Sequence, residues 1–482
     1  MSFIQAEYKI PELPEFAGNP FIEALPLEIP HDEYSKYLLV APPYSEEERK
    51  HPTYKRFEYL QRIAQLHIPT KEESFIMLDL RRCLNWGYVS RNPMSMDIVK
   101  NALKKHGFES SENMLHYIHR LYAPVYGFSI LGISGVGKTT AVNNILNLYP
   151  QVIEHHEYCG IPFETKQLVW LKLDCPCDGT VRSFCHSIIN SIDLVINENY
   201  SGKIIKNLMS FNILLLKVNQ LLQSLNLGIL VIDEIQNLAT AKNTESRKSM
   251  SFIIELTNIL KIPVIMIGSP KIVNVLNKEF QMAKRASGEG EIKMRLMEEN
   301  SSDWRIFLET LWNYQFTEKK VNLTNEIKNV FFAESVGNPF IAAILYKLVQ
   351  DKVILSKDES FNVADIRDVS NTMLGLTKKK RMDMLEGIDV ELNSYKYLWS
   401  TYTRSSNQTN AFVEPVAEVD KKIKEDLQTT FEQNLMQKFD LEIKKARDLV
   451  KKSMAAYPND TDIVKLMDYA EKLLKLENDK TD

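Results

Sequence analysis

The 482-residue sequence has few cysteines, no excess of either charge and no long apolar run. Five cysteines are too few for a disulfide framework in a chain of this length, which favours a reducing compartment. Basic residues number 59 and acidic residues 63, so any DNA binding must use a local patch rather than overall basicity. Because no apolar stretch approaches the ~20 residues of a membrane helix, and the N-terminus lacks the order of a signal peptide, we expect a cytoplasmic protein without a membrane partner.

Short β-branched runs alternate with amphipathic stretches in the middle of the chain, which is typical of a parallel sheet flanked by helices. The predicted strands are 128–133, 168–173, 228–232, 263–267 and, more weakly, 292–297. Two predicted helices each place apolar residues on one face: Val142, Ile145, Leu146 and Tyr149 in the first, and Met250, Ile253, Thr257 and Leu260 in the second. The fold class is therefore α/β, with helical additions on both sides.

Length and composition divide the chain into six predicted segments. Eight of the 19 prolines lie in the first 52 residues, which favours an extended stretch that docks on another surface. The prediction is an extended proline-rich arm (1–52), a helical N-terminal domain (53–120), an α/β core (121–300), a helical lid (301–376), a basic and polar linker (377–408) and a helical interaction tail (409–482).

A complete phosphate-loop pattern, Gly-Ile-Ser-Gly-Val-Gly-Lys-Thr over residues 132–139, follows an apolar strand and precedes an amphipathic helix, which is the context that the motif requires. Backbone N–H groups of such a loop surround phosphate oxygens, the lysine reaches the β- and γ-phosphates, and the threonine binds magnesium. The predicted ATP-binding residues are Gly132, Ser134, Gly135, Val136, Gly137, Lys138, Thr139 and Thr140. The core is thus predicted to be a P-loop ATPase.

Two adjacent carboxylates, Asp233 and Glu234, end a buried strand. With Thr139, Asp233 is predicted to hold Mg²⁺, and Glu234 to polarise the attacking water. Ser269 ends the next strand, where a polar residue would touch the γ-phosphate or the water; a plain turn residue before Pro270 is the alternative. Arg285 lies where ring-forming ATPases carry an arginine that reaches the neighbouring nucleotide, and a solvated basic pair with Lys284 is the alternative there.

Several segments resemble, in the same order, those of the TnsC family of AAA+ transposition regulators. They are Asn-Pro-Phe-Ile-Glu-Ala-Leu-Pro (19–26), Gly-Tyr-Val-Ser-Arg-Asn-Pro (87–93), Val-Ile-Asp-Glu-Ile-Gln-Asn-Leu (231–238), residues 263–271, and Ala-Lys-Arg-Ala-Ser-Gly-Glu-Gly (283–290). The resemblance covers roughly residues 1–350. It implies an AAA+ ATPase that forms a ring or helical homo-oligomer on double-stranded target DNA, links a target-selecting protein to the transposase, activates the transposase and resets by hydrolysis.

The resemblance also implies which loops face DNA. In an assembly around a duplex, the loop after the second strand and the segment after the carboxylate pair would face the centre. The side chains offered for phosphate contact are Thr180, Arg182, Lys242, Arg247 and Lys248, with solvated surface residues as the alternative. Such contacts carry no sequence information. The arm and helical domain are expected to face the target selector, and the tail the transposase.

The lid segment 335–340 lacks the arginine that many AAA+ lids present to the γ-phosphate, so no second sensor is assigned. Two other functions fit the motifs. One is a signal-transducing regulatory ATPase with a helical sensor tail and no DNA partner, and the other is a scaffold that binds nucleotide without hydrolysing it. Glu234 beside Asp233 counts against the scaffold.

Overall fold

A computed structural model describes residues 3–108, 114, 125–204, 211–240, 243–270 and 290–375. Within these ranges eight strands occur: β1 (Phe3–Gln5), β2 (Ser129–Leu131), β3 (Val152–Tyr158), β4 (Ile161–Leu168), β5 (Trp170–Asp174), β6 (Ile229–Asp233), β7 (Val264–Gly268) and β8 (Glu291–Lys293). The predicted linker and tail, 377–408 and 409–482, lie outside the described residues.

The helices of the first 260 residues precede, connect and cover the strands. They are α1 (Pro20–Glu23), α2 (Tyr34–Leu38), α3 (Thr53–Tyr59), α4 (Lys71–Val89), α5 (Met96–Lys105), α6 (Lys138–Leu146), α7 (Val181–Ile196), α8 (Tyr200–Ile204), α9 (Phe211–Ser224), α10 (Asn237–Thr240) and α11 (Asn243–Asn258). Four more follow the last strand: α12 (Ser302–Trp312), α13 (Asn325–Ser335), α14 (Pro339–Ile354) and α15 (Val363–Thr372). None of the described helices is long and apolar enough to cross a membrane.

The main sheet has five parallel strands in the order β5-β6-β7-β2-β8. All residues of β6 and β7 are buried, as expected for parallel strands covered on both faces. The helices α6 and α11 bury most of the residues that the sequence placed toward the sheet, including Ile145 and Ile253, whereas Tyr149 and Leu260 lie beyond the helix ends. The predicted α/β fold class is confirmed. β7 lies between the strand before the phosphate loop and the strand that ends at Asp233, and this inserted strand fits the predicted AAA+ fold.

A second, three-stranded sheet was not predicted. Its order is β1-β3-β4, with β1 parallel to β3 and the β3–β4 hairpin antiparallel. Cys159 and Gly160 join the hairpin strands with φ of 51° and 80°, which suits a tight turn with two left-handed residues. The predicted strand 168–173 is corrected by this finding, since Leu168 ends β4 and Trp170 begins β5.

The first 105 residues contribute buried side chains to two large hydrophobic cores and to a small third cluster of Ala17, Val99 and Leu103. Phe21 and Leu38 join the core of the main sheet, as does Leu80 of α4. Leu60 and Ile63 instead pack among the helices α12–α15, in a core that includes Trp312 and Tyr346. The N-terminal part of the chain therefore runs from the α/β core to the lid and back, and contributes short helices and buried side chains to both.

Candidate nucleotide-binding and catalytic site

The phosphate loop joins β2 to α6 at the carboxyl edge of the main sheet, where parallel α/β folds bind their ligands. Gly135 and Gly137 have φ of 87° and 93°, which only glycine adopts readily, and Gly137 immediately precedes α6. Lys138 Nζ donates to the carbonyl oxygens of Gly132 at 2.6 Å and Ile133 at 2.9 Å. The loop backbone thus surrounds the Lys138 ammonium group. The loop also lies at the N-terminus of α6, which favours binding of an anion.

Asp233 and Thr139 are neighbours in this structure. Thr139 Oγ1 donates to Asp233 Oδ2 at 2.8 Å, and the backbone N–H of Glu234 donates to Asp233 Oδ1 at 2.9 Å. Magnesium prefers oxygen ligands and in nucleotide sites uses one or two protein groups with phosphates and waters. A hydroxyl and a carboxylate oxygen side by side fit that requirement. Among the described residues no group of three or more His, Cys, Asp or Glu could hold a metal by itself.

Lys172, which the sequence analysis did not select, also contacts the carboxylate. Its Nζ lies 3.1 Å from Asp233 Oδ2, because β5 pairs with β6 and places Lys172 beside Val231. The side chain is 18% exposed, so this ion pair is partly shielded from water. The Asp233 Oδ2 atom, which accepts the hydrogen bond from Thr139, therefore also has Lys172 as a positively charged partner.

Cys175 follows β5 close to this carboxylate, and its N–H donates to the Asp233 carbonyl oxygen at 2.8 Å. Burial raises the pKa of the Cys175 thiol to about 12. The thiol consequently stays protonated near neutral pH and is a poor nucleophile.

Glu234 and Ser269 directly follow the neighbouring strands β6 and β7. Glu234 is exposed and has φ of 53°, a left-handed backbone that is uncommon outside glycine. Gln236 Nε2 donates to the Glu234 carboxylate, and Gln236 Oε1 accepts from the Ser269 N–H at 3.0 Å. The Ser269 hydroxyl is buried and has no hydrogen-bond partner among the described residues. A buried, unpaired hydroxyl at this strand end fits a ligand-contacting role.

A pocket of about 430 Å³ lies beside these strand ends, and Lys138, Thr139 and Glu234 are among the residues that line it. Its walls come from three parts of the chain: the phosphate loop with Thr139, Thr140 and Glu234; the lid; and the segment between α3 and α4. The apolar lining residues include Ile63, Leu66, Ile68, Met297, Phe307, Phe340, Ala343 and Ile344. An apolar hollow next to a phosphate loop has the chemistry to take a purine base beside its phosphates.

The same pocket contains polar residues to which the sequence analysis assigned no role. His67 Nε2 lies 2.8 Å from Glu73 Oε2, and Lys347 Nζ donates to Gln61 Oε1 at 2.9 Å. The capping-box pattern Thr70…Glu73 in the sequence could have located the start of α4. It could not have placed that helix start beside the phosphate loop.

Asn338 connects the lid to the phosphate loop. It is 1% exposed; its Oδ1 accepts from the N–H groups of Phe340 and Ile341 and caps α14, while its Nδ2 donates to the Ser134 carbonyl oxygen at 3.0 Å. A Cβ on Gly135 would lie 2.8 Å from Asn338 Oδ1. Asn followed by Pro at a helix start is a recognisable cap signal in the sequence, but its second contact, 204 residues away, is not.

Only part of the predicted DNA-contacting set can be located. Arg182 and Lys248 are exposed, and Ser249 Oγ donates to the Gly179 carbonyl oxygen, so the two predicted DNA-facing segments adjoin. Thr180 caps α7 by accepting from the Ser183 N–H at 3.2 Å and donates to Asp178, and it is therefore committed to local structure.

Three other predicted residues cannot be assessed in this way. Arg285 and Lys242 lie outside the described residues, and the Arg247 side chain is also outside the described set.

Comparison with protein families finds a match over most of the α/β core. Residues 109–289 match the family model of bacterial TniB protein, a transposition-associated AAA+ ATPase family related to TnsC. The family prediction is confirmed over this segment. No curated protein sequence matches the chain.

Among solved structures, the Aeropyrum pernix ORC2 protein in its ADP form is similar, at 11% identity, with 51% of this chain and 62% of that chain covered and a TM-score of 0.36. The ORC2 protein in ADPNP–ADP complexes matches at 13% identity, with 53% and 64% covered and a TM-score of 0.34. The chain thus covers less than two thirds of either ORC2 chain.

Proposed function

We propose that this protein is an ATP-dependent regulator of DNA transposition. The observation that carries the proposal is the hydrogen-bonded set Thr139–Asp233–Glu234, in which Thr139 and Glu234 line one pocket and Asp233 joins them. The set lies within a segment that matches a transposition ATPase family. The phosphate loop and Lys138 would bind the β- and γ-phosphates of ATP, and the apolar lining would take the base. Thr139 and Asp233 would hold Mg²⁺, which supplies charge neutralisation for phosphoryl transfer when bound.

Hydrolysis in this proposal depends on groups at two strand ends. Glu234 would accept a hydrogen bond from the attacking water and draw its proton toward the carboxylate, and Ser269 would offer its unpaired hydroxyl to the water or the terminal phosphate. Arg285 would complete the site of a neighbouring subunit within a homo-oligomer. The nucleotide state would then set whether the assembly holds target DNA and engages the target selector and the transposase.

The first experiment tests nucleotide chemistry in the full-length chain. Lys138→Ala should abolish ATP binding, because it removes the charge that meets the terminal phosphates. Glu234→Gln should keep ATP binding and reduce turnover by at least ~10²-fold, the usual effect of losing a positioned general base. Glu164→Gln, a change at a 73% exposed carboxylate on β4, is the matched control and should behave as wild type. Wild-type ATP affinity in Lys138→Ala would contradict the loop assignment.

The second experiment tests DNA as a partner. ATPase activity is measured with and without duplex DNA, and DNA affinity is measured across a salt series with ATP present. Arg182→Ala with Lys248→Ala should weaken binding and reduce the salt slope by about one unit for each phosphate that the variant no longer neutralises. Lys36→Ala with Lys50→Ala removes two charges from side chains that are more than 70% exposed, and should leave the slope unchanged. Hydrolysis indifferent to duplex DNA would instead favour the regulatory ATPase without a DNA partner.

A further inference from the structure

One side-chain amide joins the ends of β6 and β7. Gln236 donates through Nε2 to the Glu234 carboxylate and accepts through Oε1 from the Ser269 N–H at 3.0 Å. An amide can do both at once because it carries a donor and an acceptor on neighbouring atoms. The contact therefore links the carboxylate that the proposed function uses as a base to the backbone of the strand end that carries the unpaired Ser269 hydroxyl.

We propose that Gln236 is a positioning residue that holds Glu234 in the orientation needed for hydrolysis; this inference rests on the proposed ATPase function. Glu234 is exposed and has three rotatable side-chain bonds, so without a fixed partner its carboxylate would sample many positions in solvent. In the orientation that Gln236 holds, Glu234 lines the same pocket as Lys138 and Thr139. The hydrogen bond from Gln236 thus keeps the Glu234 carboxylate next to the phosphate loop instead of letting it turn into solvent.

The neighbouring backbone leaves room for this amide. A Cβ on Gly268, the last residue of β7, would lie 2.8 Å from Gln236 Oε1 and 2.6 Å from Ile235 Cγ2. Glycine at this position therefore allows the Gln236 amide to reach the Ser269 N–H. The pair Gly268–Ser269 and the carboxylate of Glu234 are consequently held at a fixed separation by a single side chain.

The two hydrogen bonds can be separated by substitution. Gln236→Met keeps nearly the same length and volume but removes both bonds. Gln236→Glu keeps an acceptor for the Ser269 N–H, but an ionised carboxylate has no donor for Glu234 and repels it. Both should lower kcat, Gln236→Glu more strongly, while ATP affinity stays within about twofold, because neither change touches the phosphate loop. A fall in kcat of about 10-fold or more is expected, since small misplacements of a catalytic group cost up to ~10²-fold.

A double-mutant comparison distinguishes positioning from a structural role. Gln236→Met should reduce turnover in the wild-type background and have no further effect in the Glu234→Gln background, because the group that it positions is already inactive. Gln220→Ala, at an exposed glutamine on α9, is the control and should change nothing. Thermal melting of each variant should match its parent.

Three results would overturn the inference: unchanged kcat in both Gln236 variants, an equal fold-loss in the Glu234→Gln background, or a loss of ATP affinity as large as the loss of kcat. Failure of the proposed function gives a different pattern, in which the wild type does not hydrolyse ATP or Glu234→Gln retains full turnover. That pattern would overturn both proposals. If the wild type hydrolyses ATP and Glu234→Gln does not, the proposed function stands, and the Gln236 variants alone decide the present inference.

Discussion

Phe21 should be among the most sensitive positions for folding, although it lies in the proline-rich N-terminal segment. Its side chain is 2% exposed, and its ring centroid lies 5.4 Å from that of Tyr88, 5.5 Å from His155 and 5.8 Å from Phe163. These neighbours come from α4, β3 and β4, so the ring packs where a helix meets the second sheet. The Phe21 carbonyl oxygen also accepts from Gln167 Nε2 at 2.8 Å.

Phe21→Ala should destabilise the protein by about 3–5 kcal/mol, the usual cost of emptying a buried phenylalanine site. That is a large part of the ~5–15 kcal/mol by which domains are stable. Because each kcal/mol lowers the melting temperature of a domain of this size by roughly 2–4 °C, the melting temperature should fall by about 10 °C. Phe21→Leu, which keeps most of the volume, should cost about 1 kcal/mol.

The assay is thermal and urea unfolding of the full-length chain followed by circular dichroism. Ile10→Ala and Leu27→Ala are matched controls, because these side chains lie in the same segment but are 67% and 64% exposed. Each control should shift stability by less than about 0.5 kcal/mol. If Phe21→Ala melted together with these controls, the segment would be a detachable arm, as its composition suggested. If Phe21→Ala instead lowers stability as expected, a variant that lacks residues 1–52 would be impaired in folding, and it would not be a clean test of partner docking.

Three further predictions concern other parts of the molecule. Burial lowers the pKa of His155 from its ordinary 6.5, so near and below pH 6.5 the unfolded chain binds a proton at this residue more readily than the folded chain does. When the pH is lowered from 7.5 to 5.5, the melting temperature of the wild type should therefore fall more than that of His155→Gln. Equal decreases in the two proteins would contradict this prediction. Asn338→Ala removes the cap of α14 and the contact with Ser134, so it should lower stability by about 1 kcal/mol and weaken ATP binding. Asn338→Ser keeps a capping hydroxyl but cannot reach Ser134, so it should weaken ATP binding without the loss of stability. Wild-type ATP affinity in both variants would count against a role for the lid contact. Arg285→Ala should reduce turnover in the assembled state, and mixing with Lys138→Ala subunits should restore part of it; no recovery at any ratio, with assembly intact, would argue against action between subunits.

The sequence predicts most of the chemistry of the site because that chemistry lies at strand ends. Asp233, Glu234 and Ser269 each follow an apolar run, and the carboxyl ends of parallel strands share one edge of a sheet. A pattern of runs and polar ends therefore brings these residues together without knowledge of the loops. The phosphate loop is predictable for the same reason, since it also follows a strand and begins a helix.

Residues that reach the site from distant segments could not be found in this way. Asn338 meets Ser134 across 204 residues, and His67 and Glu73 line the pocket only because the chain returns from the lid to α4. Nothing local in the sequence encodes those contacts. The β3–β4 hairpin was missed for a local reason: its turn is Cys159-Gly160 rather than a common Asn-Gly pair, and β3 contains Glu154, His155 and His156 where apolar alternation was sought.

Proline content misled the interpretation of the N-terminal segment because it reports backbone shape and not burial. The segment is fixed at two places. Phe21 packs in the core of the main sheet, while the Tyr44 hydroxyl donates to the Gln315 carbonyl oxygen at 3.0 Å, between the lid helices α12 and α13. Just after the segment, Arg56, 2% exposed, donates to the Phe316 carbonyl oxygen at 3.1 Å and pairs with Glu359. The chain that continues from Arg56 supplies Ile63 to Glu73 as one wall of the pocket.

A ligand in this pocket would touch the phosphate loop, the lid and the returning N-terminal chain together. If binding changes the relative positions of these three parts, the free energy of that change is included in the binding free energy of the ligand. By thermodynamic linkage, the relative positions of the three parts then depend on whether the ligand is bound. A nucleotide could then be sensed at residues far from the phosphates. The polar contacts that cross the pocket walls, Asn338 to Ser134 and Lys347 to Gln61, are the places where such a change would first be measurable.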